Sequence, residues 1–399
     1  VAYRCRAYPN PEQQALLRRT FGCVRLVWNK TLAERRVRYA TEGKSTSYAE
    51  TDRTLTEWKK ADELAFLNEV SAVPLQQVLR HQHAAFTNFY ADRAGYPRFK
   101  SRSARQAAHF TRAGFRMRDG ELFLAKTSTP LRFVSSFPGS NPVELNPTMV
   151  VVSLEQDGRW YVTFAVETAD PAPLAPAGRV VGLDLGLKDL VVTSDGERIA
   201  NPKHLERKAK NLARYQRRMS RCRPGSKNRA KAGRKVAAAH REVRDARSDQ
   251  LHKVTTRLVR EHDVIVIEDL APANMVKNRH LAKSIHDASW GEFRRQLEYK
   301  ARWAGRRLIV IDRFYPSSKI CSGCGYLLTE LSLSTRAWTC PACRTRHDRD
   351  HNAAKNILAA GRVVAVREYG DACGADVIRQ GASLPSSVMK QEPSPALRA

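Results

Sequence analysis

Apolar positions recur at helical spacing through the first hundred residues, then switch to strand-like alternation between about residues 105 and 168. Residues 1–8 read as a short strand, stopped by "PNPEQQ". Three helical runs follow: "QQALLRRTFGCVRLVWNKTLAERRVRYA", "YAETDRTLTEWKKADELAFLNEV" and "PLQQVLRHQHAAFTNFYADRA". Leu16, Leu17, Phe21, Val24 and Val27 mark the apolar stripe of the first; Leu75, Val78, Leu79 and Phe86 mark that of the third. "FRMRDGELFLA" and "MVVVSLEQDGRWYVTFAVET" are alternating or β-branched runs broken by Asp-Gly, a strong hairpin signal. With the N-terminal strand they predict a small β-barrel into which the helical segment is inserted. "TADPAPLAPAG", residues 168–178, is a Pro/Ala-rich linker and a domain boundary.

Beyond the linker the order changes. "RVVGLDLGLKDLVVTSDGERIA" predicts a strand, a tight turn, a second strand and an Asp-Gly turn into a third. A long basic helical region runs from about Lys203 to Arg260. "DVIVIEDL" is a continuous apolar run, the mark of a buried strand. "WGEFRRQLEYKARWAG" is an amphipathic helix ending on Gly305, "RRLIVIDRFY" another strand, and "HDRDHNAAKNI" opens a last helix. This order predicts a layered α/β sheet. The tail after about residue 366 has little periodicity and reads as disordered.

Charge narrows the choice of partner. The 399 residues carry 69 Lys and Arg against 40 Asp and Glu, a formal net charge of +29. Such an excess favours a polyanion. Anionic membrane is the rival, but no apolar run approaches the roughly 18 residues of a spanning helix. No apolar signal core is visible near the N-terminus, so a cytoplasmic protein is expected. The positive charge is densest between Lys203 and Arg260, where 20 basic residues face 4 acids. "RYQRRMSRCRPGSKNRAKAGRK" has too few apolar residues for a core helix, and phosphate contact explains it better than a solvated face. The basic and aromatic "YPRFKSRSAR" points the same way. Arg98, Lys100, Arg214, Arg217, Arg218 and Lys235 are the candidate backbone contacts. Arg247, Asp249, His252 and Lys253 either orient a site or simply cap and pair.

Two constellations carry chemistry. Cys321-x-x-Cys324, fifteen residues and Cys340-x-x-Cys343 match a zinc ribbon, with four thiolates that leave no open position for water. His347 would become a ligand only if a cysteine were displaced. Cys5, Cys23, Cys222 and Cys373 are scattered, consistent with a reduced compartment. The second constellation is Asp184 and Glu268, each closing an apolar strand, where a carboxylate is costly unless hydrogen-bonded or bound to a cation. At about 100° per residue, Asp350 shares a helix face with Ala353, Ala354 and Ile357 and points inward. Asp348 lies about 200° away and suits an N-cap. Three such carboxylates suit two Mg²⁺ ions that activate water and stabilise a leaving phosphate oxygen.

The ordered set "GLDLG", "VIEDL", the four-cysteine ribbon and "DRDHNAAKNI" closely resembles the RuvC-like domain of TnpB proteins, RNA-guided DNA endonucleases encoded in insertion sequences. "YPNPEQQALLRRTFGCVRLVWN", "VPLQQVLRHQHAAFTNFY" and "YPRFKSR" extend the resemblance over nearly the whole chain. It implies a multidomain α+β protein: an RNase H-like (RuvC) α/β nuclease domain with zinc-ribbon insertion, a wedge β-barrel and an inserted helical recognition domain. The boundaries then fall at 1–9 and 105–168 for the wedge, 10–104 for the helical domain and 169–178 for the linker. The nuclease domain takes 179–318 and 346–366, the ribbon 319–345 and the tail 367–399.

The resemblance also implies that Asp184, Glu268 and Asp350 form the Mg²⁺-binding catalytic triad and that the four cysteines bind Zn²⁺. It further implies a guide RNA (ωRNA), a double-stranded DNA target and a protein monomeric in the ribonucleoprotein. Tyr48, Thr51, Gln76 and Thr111 match the surface that reads the adjacent DNA motif; Gln can bond adenine and the Thr methyl can meet thymine. Where some relatives carry Lys, this chain has Ala72, which leaves the motif's sequence undetermined. The alternatives are a catalytically silent RNA-guided repressor, a miniature type V CRISPR effector or, more weakly, a transposase that joins DNA ends. All three carboxylates stand here, which a repressor would be free to lose.

Overall fold

A computed structural model describes residues 1–135, 146–169, 171–332 and 334–369. The chain divides into two compact units, one of residues 1–169 with 214–238, the other of the remainder.

In the first unit, β1 (Ala2–Ala7) leads into α1 (Pro11–Glu42). Asn10 caps α1 in a capping box with Gln13, Pro11 occupies the first turn, and Gly43 at φ 66° ends it. Helix α2 (Tyr48–Lys60) starts on a second box, Ser47 with Glu50. The sequence pattern ran one helix on to residue 70, but the chain leaves the α conformation at Ala61 and continues as a 3-10 turn, Asp62–Glu69. Asn68 explains the stop, since its Nδ2 donates to the Lys59 carbonyl at 2.8 Å and satisfies an end that α2 leaves open. Helix α3 (Ala72–Tyr90) completes the group, whose core joins Val24, Val27, Leu55, Leu67, Leu75 and Leu79.

The strands of this unit are β2 (Gln106–Thr111), β3 (Phe115–Arg118), β4 (Glu121–Leu124), β5 (Phe133–Val134), β6 (Pro147–Leu154) and β7 (Trp160–Val166). Four of these join β1 in a five-stranded sheet in the order β2-β6-β7-β1-β5. Strand β1 pairs with β7 over its whole length, from Ala2 opposite Ala165 to Ala7 opposite Trp160. The helices therefore leave and return between strands of one sheet. Asp119 and Gly120, at φ 51° and 77°, turn β3 into β4, which suits a two-residue hairpin. Among the described residues these five strands pair in that one order, β3 and β4 form a ladder of their own, and a bridge between Leu122 and Leu131 ties β4 to the stretch that leads into β5. Alternation specifies which side chains turn inward, but not whether a sheet closes.

The second unit begins with β8 (Val180–Leu185), β9 (Asp189–Thr193) and β10 (Arg198–Ala200). The basic region forms two helices, α4 (His204–Ser220) and α5 (Lys227–Glu261), parts of which belong to the first unit. They part where Pro224 and Gly225 (φ 79°) interrupt the chain, and Arg229 Nη1 donates to the Met219 and Cys222 carbonyls to close the turn. Then come β11 (Val264–Glu268), the short α6 (Pro272–Met275) and α7 (Ala282–Ala288), α8 (Trp290–Trp303), β12 (Arg307–Ile311), β13 (Ala337–Thr339), β14 (Arg346–Asp348) and α9 (Arg349–Tyr369). The tail was expected from residue 367, whereas the α9 backbone continues through Tyr369; residues 370–399 lie outside the described ones.

The central sheet runs β10-β9-β8-β11-β12, with β8, β11 and β12 parallel and β9 and β10 antiparallel to their neighbours. Side chains of one face, Val181, Leu183, Ile265 and Ile267, form a core with Leu251, Leu258, Phe293 and Leu297. The other face, with Val266, Ile309 and Ile311, packs on Ile357 of α9. Gly182 makes that contact possible: a Cβ there would lie 2.3 Å from the Ala354 carbonyl oxygen. Backbone cannot swing aside as a side chain can. Gly182→Ala is expected to destabilise the protein by about 1–3 kcal/mol, the usual range for overpacking. An unchanged denaturation midpoint and slope would contradict this packing.

Candidate carboxylate site and cysteine centre

Parallel register places two acids side by side. Ile267 stands opposite Leu183, so the next positions, Glu268 and Asp184, adjoin at the carboxyl ends of β11 and β8. Strand alternation then decides their direction. Asp184 shares its face with Gly182, and Glu268 with Val266, and both of those residues meet α9. The connections from β8 lead to β9 and β10 on one side, whereas β11 opens the other side. Ligands of open α/β sheets bind at such a switch point, outside the carboxyl ends of the strands. Helix α9 brings the third acid, because Ala353, Ala354 and Ile357 are buried and Asp350 sits one turn earlier.

The electrostatics agree with convergence. Burial, then Glu268 and then Asp350 push the Asp184 carboxyl up to about 8, with Arg349 opposing them in part. Burial also raises Glu268, against a hydrogen bond from the Ser317 hydroxyl to its Oε1. Asp350 is flanked by two guanidinium groups, Arg198 at 4.0 Å and Arg336 at 3.9 Å. Asp348 behaves as an N-cap, its Oδ1 accepting from the His351 amide at 3.0 Å and lying 2.7 Å from Arg198. A half-buried, desolvated acid that holds its proton near neutrality lacks a countercharge. Hard carboxylate oxygens on one face fit a divalent cation such as Mg²⁺.

The cysteine centre is more closely drawn. One ligand atom from each of Cys321, Cys324, Cys340 and Cys343 lies within 4.8 Å of the others, the one such group among the described residues. This arrangement is compatible with structural zinc. The carboxylates are not drawn together to that degree. Strands β13 and β14 pair Trp338 with His347, whose rings lie 4.7 Å apart. His347 Nε2 is 3.0 Å from Cys321 Sγ, so the histidine meets the centre through a thiol while four sulfurs fill the ligand set. Burial and Lys355 lower its pKa.

Sequence reasoning missed three of the residues that assemble these sites. Asn352 and Asn356 are buried on α9 and bond the segment that opens the cysteine centre, and Ser317 in that segment holds Glu268. The signal was present in "HNAAKNI", where two asparagines at i and i+4 interrupt an apolar face.

The expected nucleic-acid residues divide. Gln76 is exposed; Tyr48 and Thr111 are half-buried, and Arg80 lies 5.1 Å over the Tyr48 ring. Thr51 is a correction: it is 3% exposed and its hydroxyl donates to the Tyr48 carbonyl at 2.6 Å, so this side chain presents no edge to a base. Arg98 is exposed, and the Lys100 ammonium rests 4.5 Å over Trp28, where local desolvation lowers its pKa although the residue as a whole is exposed. Arg214, Arg217, Arg218 and Lys235 are exposed, and α4 buries none of its side chains. The open question at the end of α5 resolves toward pairing: Arg247 bonds Asp287 at 2.8 Å and Lys253 bonds Asp249 at 2.7 Å.

Fold and sites define a mixed α/β protein whose acidic sheet edge and four-cysteine centre are joined through one helix. Family comparison matches residues 163–279 to OrfB_IS605, described as a probable transposase, residues 290–357 to a Cas12f1-like TNB domain, and residues 1–44 to a helix-turn-helix domain. A Streptomyces pristinaespiralis protein named "Putative RNA-guided DNA endonuclease" is 50% identical over 397 residues, 99% of this chain and 96% of that protein. The Escherichia coli (strain K12) protein "Putative RNA-guided DNA endonuclease InsQ" is 33% identical over 415 residues, 100% and 98% of the two chains. Among solved structures, a Cas12f1–sgRNA–target DNA complex is similar over 90% of this chain and 98% of its own, at 13% identity and a TM-score of 0.35. The chain belongs to the TnpB (OrfB_IS605) family.

Proposed function

We propose that this chain is an RNA-guided DNA endonuclease that cuts double-stranded target DNA in a RuvC-like, RNase H-like site. What supports the reading is the β8–β11 register, which puts Asp184 and Glu268 at adjoining strand ends, together with the charges of Glu268 and Asp350 acting on the Asp184 carboxyl. Membership of a family whose members are named RNA-guided DNA endonucleases supports it. In this reading residues 179–318 and 346–366 are the nuclease domain, 319–345 the ribbon, 1–9 and 105–168 the wedge, and 10–104 the recognition domain.

Asp184, Glu268 and Asp350 would hold two Mg²⁺ ions, which supply positive charge for phosphodiester hydrolysis. The protein's own part is placement. Gly182 lets α9 approach, Arg198 and Arg336 steady Asp350, and Ser317 holds Glu268. Exposed Arg214, Arg217, Arg218 and Lys235 supply backbone affinity, while base pairing with a guide RNA supplies sequence specificity. Gln76 and Tyr48 are the proposed readers of the adjacent motif. Guide-directed cutting by protein purified with RNA from the element's end tests the reading. Guide-directed binding without cutting would favour a silent repressor.

A further inference from the structure

The segment from Ser317 to Ser322 is bonded on one side to α9 and on the other to the carboxylate site. Asn352 accepts from the Ser322 amide at 2.9 Å and donates to the Ile320 carbonyl at 2.7 Å. One turn on, Asn356 Nδ2 donates to the carbonyls of Ser317 at 2.7 Å and Ile320 at 2.6 Å. Both asparagines are buried, at 2% and 4% exposed, and Ser317 is 7% exposed. The Ser317 hydroxyl donates to Glu268 Oε1. Residue 320 immediately precedes Cys321, so one short stretch of chain serves both centres.

We propose that Ser317 and Asn356 are positioning residues for Glu268: the α9 asparagine fixes the serine, and the serine fixes the carboxylate. The proposal rests on the reading of Glu268 as a cation ligand. A glutamate on a strand end has three side-chain torsions, and the neighbouring Asp184 repels it when both are ionised. A donor on Oε1 holds the group in place against that repulsion and leaves Oε2 for a cation. Such partners of a metal ligand commonly set affinity by about 10–100-fold. Because Asn356 also anchors the residue before Cys321, the cysteine centre and the carboxylate site share one anchor.

The test uses the full-length zinc-loaded protein without nucleic acid and Mn²⁺ as a paramagnetic probe, with free Mn²⁺ followed by electron paramagnetic resonance. Ser317→Ala is expected to weaken Mn²⁺ binding about tenfold or more, and Asn356→Asp, which removes the donor, to do the same. Ser317→Thr restores the hydroxyl and should return affinity close to wild type. Zinc content of one per chain and an unchanged circular dichroism spectrum would show that the fold is intact. With guide and target added, Ser317→Ala should need more Mg²⁺ for half-maximal cutting and regain rate at saturation. Wild-type Mn²⁺ affinity in Ser317→Ala would overturn the proposal, and this variant decides alone if Asn356→Asp does not fold. Glu268→Gln separates the two levels: unaltered Mn²⁺ binding there removes Glu268 as a ligand, and the underlying reading falls with it.

Discussion

Asp184→Asn is expected to lose target cutting by on the order of 10³-fold, equivalent to about 4 kcal/mol in barrier, and to be more stable than the wild type when divalent metal is removed. Both results follow from one half-buried carboxylate whose local desolvation and acidic neighbours disfavour its charge. The folded protein holds the Asp184 proton up to about pH 8, whereas the carboxyl's ordinary value is 3.8. Below both values the two states are equally protonated and the group costs nothing. Between them the folded state binds the extra proton, so its stability falls as pH rises, and above pH 8 the full cost is present. The amide has no charge to bury. Thermal melts in a chelator should therefore show the Asp184→Asn advantage growing from about pH 4 to pH 8. Added Mg²⁺ should narrow it, since ionised Asp184 then has a countercharge. Equal melting temperatures at pH 8 would show that the group is not held under strain, and retained cutting would remove it from the site.

The second large effect is expected at the cysteines. The core around them is Cys321, Trp338 and Cys340, supported by Cys324, Leu328 and Leu331, which is too little apolar area to hold a fold. Structural zinc contributes about 10 kcal/mol or more in small zinc-dependent modules. Cys340→Ser, at a fully buried position, should therefore lose bound zinc and open residues 319–348 to protease. Trp338 packs on His347 and should report the change by fluorescence. The central sheet has its own core of Leu183, Ile267, Phe293 and Leu297, so most of the circular dichroism signal should survive. One zinc per chain in Cys340→Ser, with normal protease resistance, would show that the centre does not depend on four sulfurs.

Legibility in the sequence followed the range of the interaction. Helical phase is local, and it was enough to bury Ala353, Ala354 and Ile357 one and two turns after a half-buried Asp350 while leaving Asp348 to cap. The pairs of Asp119 with Gly120 and Cys321 with Cys324 are local signals too, and each stands in a turn or knuckle of the kind its residues require. What escaped depends on partners distant in the chain. Nothing around Gly182 reveals that Ala354 will pass over it, and nothing around Ser317 reveals that Glu268 lies within reach. Thr51 entered by resemblance to a motif-reading surface, and a matched residue type does not show how far the fold buries its side chain. Helices α6 and α7 are too short for a periodic signal. Alternation in residues 105–168 located strands without specifying whether they close into a barrel.

Programmed cutting tests the central claim most directly. The protein is purified with its flanking RNA, the guide segment is replaced, and plasmids carrying the old or the new target are incubated with Mg²⁺. Cutting should move to the new target, require divalent metal and disappear in Asp184→Asn. Cutting that ignores the guide, or that persists without Asp184, would contradict it.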